Sequence, residues 1–187
     1  TKINLLDTPG HADFGAEVER SLMMVDGILL LVDASEGPLP QTRFVLSKAM
    51  ERDIKTAVVI NKIDRPDERT MEVKSEVEDL FLDLATLLNK EDYDLDVPVF
   101  YASAKQGFAK KEYDDEDKNL HPLLDFMAGE FFPEPKVTPG DELQLLVTNL
   151  TYSSYLGQQA IGRIQRGVVK KNQQCTHCDK EARNKNF

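Results

Sequence analysis

Apolar runs of strand length alternate with segments that carry a helical apolar face, and this alternation limits the possible folds most strongly. Gly27–Asp33 is a continuous apolar run, as expected of a strand covered on both sides. Thr56–Asn61 repeats the pattern with Ala57, Val58, Val59 and Ile60, and Val97–Ala102 gives the next strand. Lys2–Asp7, with Ile3, Leu5 and Leu6, reads as a further buried strand. Between these runs Phe14, Val18, Leu22 and Val25 recur at helical spacing. Pro40 suits a helix first turn, and the helix should run to about Arg52. Val73, Val77, Leu80, Phe81, Leu84 and Leu88 line a long amphipathic helix. Polar, acidic Gln106–Asn119 is expected to be a loop, and Pro122 to about Phe131 a closing helix. Such an order implies right-handed crossovers and an α/β fold, a mostly parallel sheet with helices on both faces.

The character changes at Phe132–Gly140, where three prolines in seven residues read as a linker. Beyond it, Leu143–Leu150, Ala160–Ile164 and Val168–Val169 look like short strands. The expected organisation is a first domain over residues 1–137 and the start of a β-barrel domain over 138–187. The remaining residues are too few for a complete barrel.

Three short motifs follow three of the expected strands, where ligands bind in open parallel sheets. Asp7-Thr8-Pro9-Gly10-His11 comes first. A carboxylate at Asp7 can reach a magnesium ion through water, because magnesium keeps part of its hydration shell. Pro9 stiffens the turn, Gly10 lets its N–H approach a phosphate, and His11 can orient an attacking water. Asn61-Lys62-Ile63-Asp64 comes second. Guanine presents a ring N–H beside an exocyclic NH₂, and one carboxylate accepts both, so Asp64 is the expected guanine reader. Lys62 can lie along the base, and Asn61 can brace neighbouring loops. Ser103-Ala104-Lys105 comes third. Its small residues let backbone N–H groups approach the base oxygen, and Ser103 can brace the guanine-reading turn. Taken singly, each string also fits an ordinary polar turn; their order and their strand-end placement make them one signal.

These motifs resemble those of translational GTPases related to elongation factor G: Asp-Thr-Pro-Gly-His is followed by Ala12-Asp13-Phe14 and Glu17-Val18, and Asp26-Gly27 opens the next strand. The runs Val32–Leu46, Asn61–Pro66, Tyr101–Lys105 and Leu146–Tyr152 narrow the likeness to the BipA/TypA family of ribosome-associated GTPases. The resemblance implies a P-loop NTPase-type domain, GTP or GDP with Mg2+, a ribosomal RNA partner, and a role in ribosome assembly. It also implies a phosphate-binding loop and a first switch, both expected before Thr1, with the loop's strand lying between Lys2–Leu6 and Gly27–Val32. Without that loop the chain alone is expected not to hydrolyse GTP. Gly157–Ile164 mimics the loop's glycine spacing but lacks its Lys-Ser/Thr and falls in the β-rich region. Two alternatives stay open: a non-catalytic GTP-fold module that binds a partner, and a sibling factor of the LepA or elongation factor G type.

Charge and cysteine content bound the remaining possibilities. The 187-residue chain carries a formal charge of −10, yet Arg163–Phe187 has seven Lys/Arg against two Asp/Glu. That end is therefore +5 and the remainder −15, unlike a protein that coats nucleic acid uniformly. Cys175 and Cys178 enclose His177, but no further cysteine exists to complete a zinc set. With no apolar run of membrane-spanning length, the expectation is a cytoplasmic, membrane-free monomer with reduced thiols.

Overall fold

The computed structural model describes residues 2–8, 15–90, 92–116, 118–129, 131–132, 134–135, 142–178 and 184–186. The chain divides into two compact units, Thr1–Glu134 and Pro135–Phe187.

In the first unit the elements are α1 (Gly15–Leu22), β1 (Gly27–Asp33), α2 (Pro40–Glu51), β2 (Lys55–Asn61), α3 (Thr70–Leu87), β3 (Val99–Ser103), β4 (Phe108–Lys110) and α4 (His121–Ala128). They build a sheet of order β1-β2-β3-β4. β1 pairs with β2 and β2 with β3 in parallel, whereas β4 returns antiparallel to β3. The apolar runs become strands because both faces are covered. On one face Val58 and Ile60 pack with Val73, Val77, Phe81 and Leu84 of α3 and with Leu46 and Met50 of α2. On the other, Val59, Phe100, Ala102 and Ala109 meet Leu123 and Phe126 of α4. Helices therefore lie on both sides of a mostly parallel sheet, as the alternation predicts.

Three expectations in this unit are corrected. Residues 2–8 form no strand, and Ile3, Leu5 and Leu6 are 41 %, 78 % and 46 % exposed. A strand exists through its hydrogen-bonded ladder, and among the described residues none pairs with this segment. Apolar content alone does not supply that ladder. The supposed loop Gln106–Asn119 contains β4, whose three residues are buried. A tight turn, closed by Gly107 N–H donating to Ser103 O at 2.8 Å, sends the chain back along β3 before the acidic stretch begins. The closing helix ends at Ala128 rather than Phe131.

In the second unit β5 (Gln144–Ser153) and β6 (Gly157–Arg166) form a long antiparallel hairpin, and β7 (Thr176–Cys178) pairs with β8 (Asn184–Asn186). A second, antiparallel sheet thus begins here. Gly157–Ile164 is extended strand, which removes it as a phosphate loop. Val168 and Val169 form no strand and are more than half exposed. Cys175 and Cys178 are exposed, and no cluster of three metal-ligating side chains exists among the described residues.

Candidate guanine-nucleotide site

The carboxyl ends of β1, β2 and β3 lie side by side, because the parallel register pairs Asp33 with Asn61 and Asn61 with Ala102. The chain leaves each strand in a polar turn, and the three turns are tied together. Ala34 N–H donates to Asn61 O at 2.8 Å, and Ile63 N–H to Ala102 O at 3.3 Å. Asn61 Oδ1 accepts the Ala104 N–H at 3.0 Å, linking the second and third motifs across 43 positions of sequence. Asn61, Lys62, Asp64, Ser103, Ala104 and Lys105 are therefore brought to one edge of the sheet.

Three sets of contacts bear on the roles expected of these residues. Ser103 is fully buried, and its Oγ accepts from Gln106 N–H at 3.2 Å, so it braces its own turn and not that of residues 61–64. The bracing between turns comes from Asn61. The Ala104 N–H, expected to face a base oxygen, is given to that asparagine. Lys62 takes a left-handed backbone (φ 68°), uncommon for a side chain with a Cβ. Its Nζ sits 2.6 Å from Asp33 Oδ2. Asp64 is partly exposed.

Asp33 was not singled out from the sequence. Its side chain is only 11 % exposed. Its Oδ1 accepts from Ser35 N–H and Ser35 Oγ, both at 2.8 Å, and from Glu36 N–H at 3.3 Å. Burial pushes the carboxyl pKa up, but the Lys62 ammonium and the Ser35 and Glu36 donors outweigh it and hold the group below the usual carboxylate range. A carboxylate closing a buried strand was the available signal.

The adjoining loop is held from its far side. Arg69, preceding α3, donates through Nε to Ser35 O at 2.9 Å and through Nη2 to Glu36 O at 3.2 Å, and it pairs with Glu76. Gly37 has φ 75°, and an added Cβ would stand 2.3 Å from Glu76 Oε2 and 2.9 Å from Arg69 Nη2. Only glycine fits that turn without displacing the ion pair. Glu68 accepts from Thr70 N–H at 2.8 Å and from Tyr113 OH at 3.2 Å, so the segment after Asp64 is anchored as well.

The sequence matches the family described as "Elongation factor Tu GTP binding domain" over residues 1–133. The chain belongs to that family. Within the elongation factor Tu GTP-binding domain family it is similar to proteins named "Large ribosomal subunit assembly factor BipA". The Synechocystis relative is 49 % identical over 174 residues, 93 % of this chain and 28 % of the relative. The Escherichia coli K12 relative is 46 % identical over 185 residues, 99 % of this chain and 30 % of the relative. The chain thus spans about three-tenths of the length of these curated relatives. Among solved structures, translation elongation factor SelB from Methanococcus maripaludis, in complex with the GTP analogue GppNHp, superposes with a TM-score of 0.66. It covers 90 % of this chain and 34 % of that one at 22 % identity, a likeness of fold.

In this GTP-binding domain the phosphate side of the expected site is described only in part. Asp7 is exposed and in no regular element. Pro9, Gly10 and His11 lie outside the described residues. An exposed carboxylate is an oxygen donor of the kind magnesium takes, directly or through the waters it retains.

Proposed function

We propose that this chain supplies the base-reading part of a guanine-nucleotide site in a ribosome-associated translational GTPase of the BipA type. The observation that carries the proposal is the Asn61–Ala104 link, which sets the 61–64 and 103–105 turns side by side at the carboxyl ends of parallel strands. Asp64 accepts the ring N–H and exocyclic NH₂ of guanine, a donor pair adenine lacks. Asn61 holds the two turns in register, and Lys62 adds positive charge beside the base. Ser103, Ala104 and Lys105 form the opposite wall.

On the phosphate side Asp7 would hold magnesium through water, and Pro9 and Gly10 would contact the last phosphate. Magnesium bound with the nucleotide would offset phosphate charge. His11 holds the attacking water in line. Hydrolysis takes place in the cytoplasm on the ribosome. BipA relatives carry their assembly role in their name, and the likeness over 93–99 % of this chain supports the large ribosomal subunit as partner. Among the described residues no helix is long and apolar enough to cross a membrane.

Asp64→Asn tests the proposal. Competition between GTP and XTP on the full-length protein should show guanine binding weakened by ~1.5–3 kcal/mol, the loss of a charge-assisted contact, with preference moving towards xanthine. Unchanged preference would remove Asp64 as base reader.

A further inference from the structure

The guanine-reading turn carries a positively charged side chain on a left-handed backbone, and a neighbouring strand supplies its counter-ion. Lys62 is 53 % exposed on its side chain, so its ammonium is open to solvent. Its Nζ nevertheless lies 2.6 Å from Asp33 Oδ2, and Arg65 Nη1 stands 3.9 Å from the same oxygen. The carboxylate making this contact is fixed at its other oxygen by the Ser35 N–H, the Ser35 hydroxyl and the Glu36 N–H. The 35–36 loop is in turn fixed by the Arg69 guanidinium on the Ser35 and Glu36 carbonyls, with Glu76 behind it. A rigid chain of contacts therefore runs from the start of α3, through the β1–α2 loop, to the ammonium of the base-reading turn.

We infer that Asp33 is a positioning residue for guanine-nucleotide binding, acting through Lys62. The inference rests on the assignment of residues 61–64 as the base-reading turn. Two physical points support it. First, a left-handed lysine persists where its surroundings over-determine it, and here the backbone bonds of residues 61, 63 and 65 and the Asp33 contact do so together. Second, an exposed lysine free in solution samples many rotamers, and ordering it on binding costs entropy. A pre-formed contact to a carboxylate that is itself held by three donors removes much of that cost beforehand. Asp33 need touch no nucleotide to have this effect.

A double-mutant cycle in the full-length protein, read as GDP affinity by calorimetry, tests the inference. Asp33→Asn keeps the side-chain shape and removes the charge. It should weaken GDP about 3- to 10-fold, the range for a partly solvated charged contact. In a Lys62→Met background the same substitution should change affinity by less than about two-fold, because its target is gone. Ser35→Ala removes one of the three donors and should show a smaller loss with the same dependence on Lys62; it carries the test if Asp33→Asn does not fold. An equal loss in both backgrounds, or none in either, overturns the role for Asp33. Asp64→Asn is measured alongside. If Asp64→Asn leaves GDP affinity intact, the base-reading assignment itself fails and the Asp33 role with it. If it weakens GDP while Asp33→Asn acts alike in both backgrounds, only the inference about Asp33 is lost.

Discussion

Two stretches of the first unit carry nucleotide-type motifs behind apolar runs, and they differ sharply. Lys55–Asn61 is a strand with Val58 and Ile60 completely buried, and the turn after it is bonded to both neighbouring strand ends. Lys2–Leu6 leads into Asp7 with similar apolar content, yet Leu5 is 78 % exposed and Asp7 stands in no regular element. A motif becomes a site only where a ladder on each side and a packed face beneath fix its direction. The turn at residues 61–64 has both supports, and the described part of the Asp7 segment has neither.

Four predictions test this contrast. The largest effect belongs to chemistry on the less supported side. In the full-length protein His11→Ala should leave GTP affinity within a few-fold while cutting ribosome-stimulated single-turnover hydrolysis by roughly 10²–10⁴-fold, as for a positioned proton-transfer group. Equal turnover in mutant and parent would remove His11 from the mechanism and leave the Asp7 side with no chemical role to set against the turn at residues 61–64.

Next comes the support beneath that turn. Phe81 is 2 % exposed and packs in the cluster that contains Val58 and Ile60. Phe81→Ala should cost about 3–5 kcal/mol in denaturant unfolding. A loss under about 1 kcal/mol would mean that α3 does not hold β2 as described.

A smaller effect should appear in acid. The Asp33 carboxyl is held below its ordinary value of 3.8, and that of Glu68 below 4.5 by the Thr70 hydroxyl and N–H. A depressed folded-state value means that the unfolded chain binds the proton more readily. The stability from these groups is therefore complete above their ordinary values and falls away as pH drops below them. Unfolding followed by denaturant from neutral pH downwards should be flat until that range. Asp33→Asn should flatten the acid limb, and an unaltered limb would take Asp33 out of the account.

The smallest change is expected in the segment at residues 2–8. Leu5→Ala should alter unfolding free energy by no more than about 0.5 kcal/mol, as for an exposed side chain. A core-sized loss would place Leu5 in a buried ladder and erase the contrast with β2.

The amino-acid sequence by itself determined the alternation of strands and helices in the first unit, because a strand buried on both faces must be apolar throughout and a helix must show one apolar stripe. Gly27–Asp33 appears with the expected bounds, and Pro40 opens its helix as a proline at a first turn should. The polar clusters at the strand ends were equally legible, since a residue leaving a buried sheet must find polar partners. Tertiary structure alone decided the rest. It made β4 from three residues inside a polar stretch, because a turn closed on Ser103 supplies a partner strand that no local pattern announces. It denied a strand to residues 2–8, because hydrogen-bond ladders are made between segments. It also joined Asp33 to Lys62 and Asn61 to Ala104. Those contacts depend on which strands become neighbours and in what register, and a periodicity of 2 or 3.6 along one segment carries no such information.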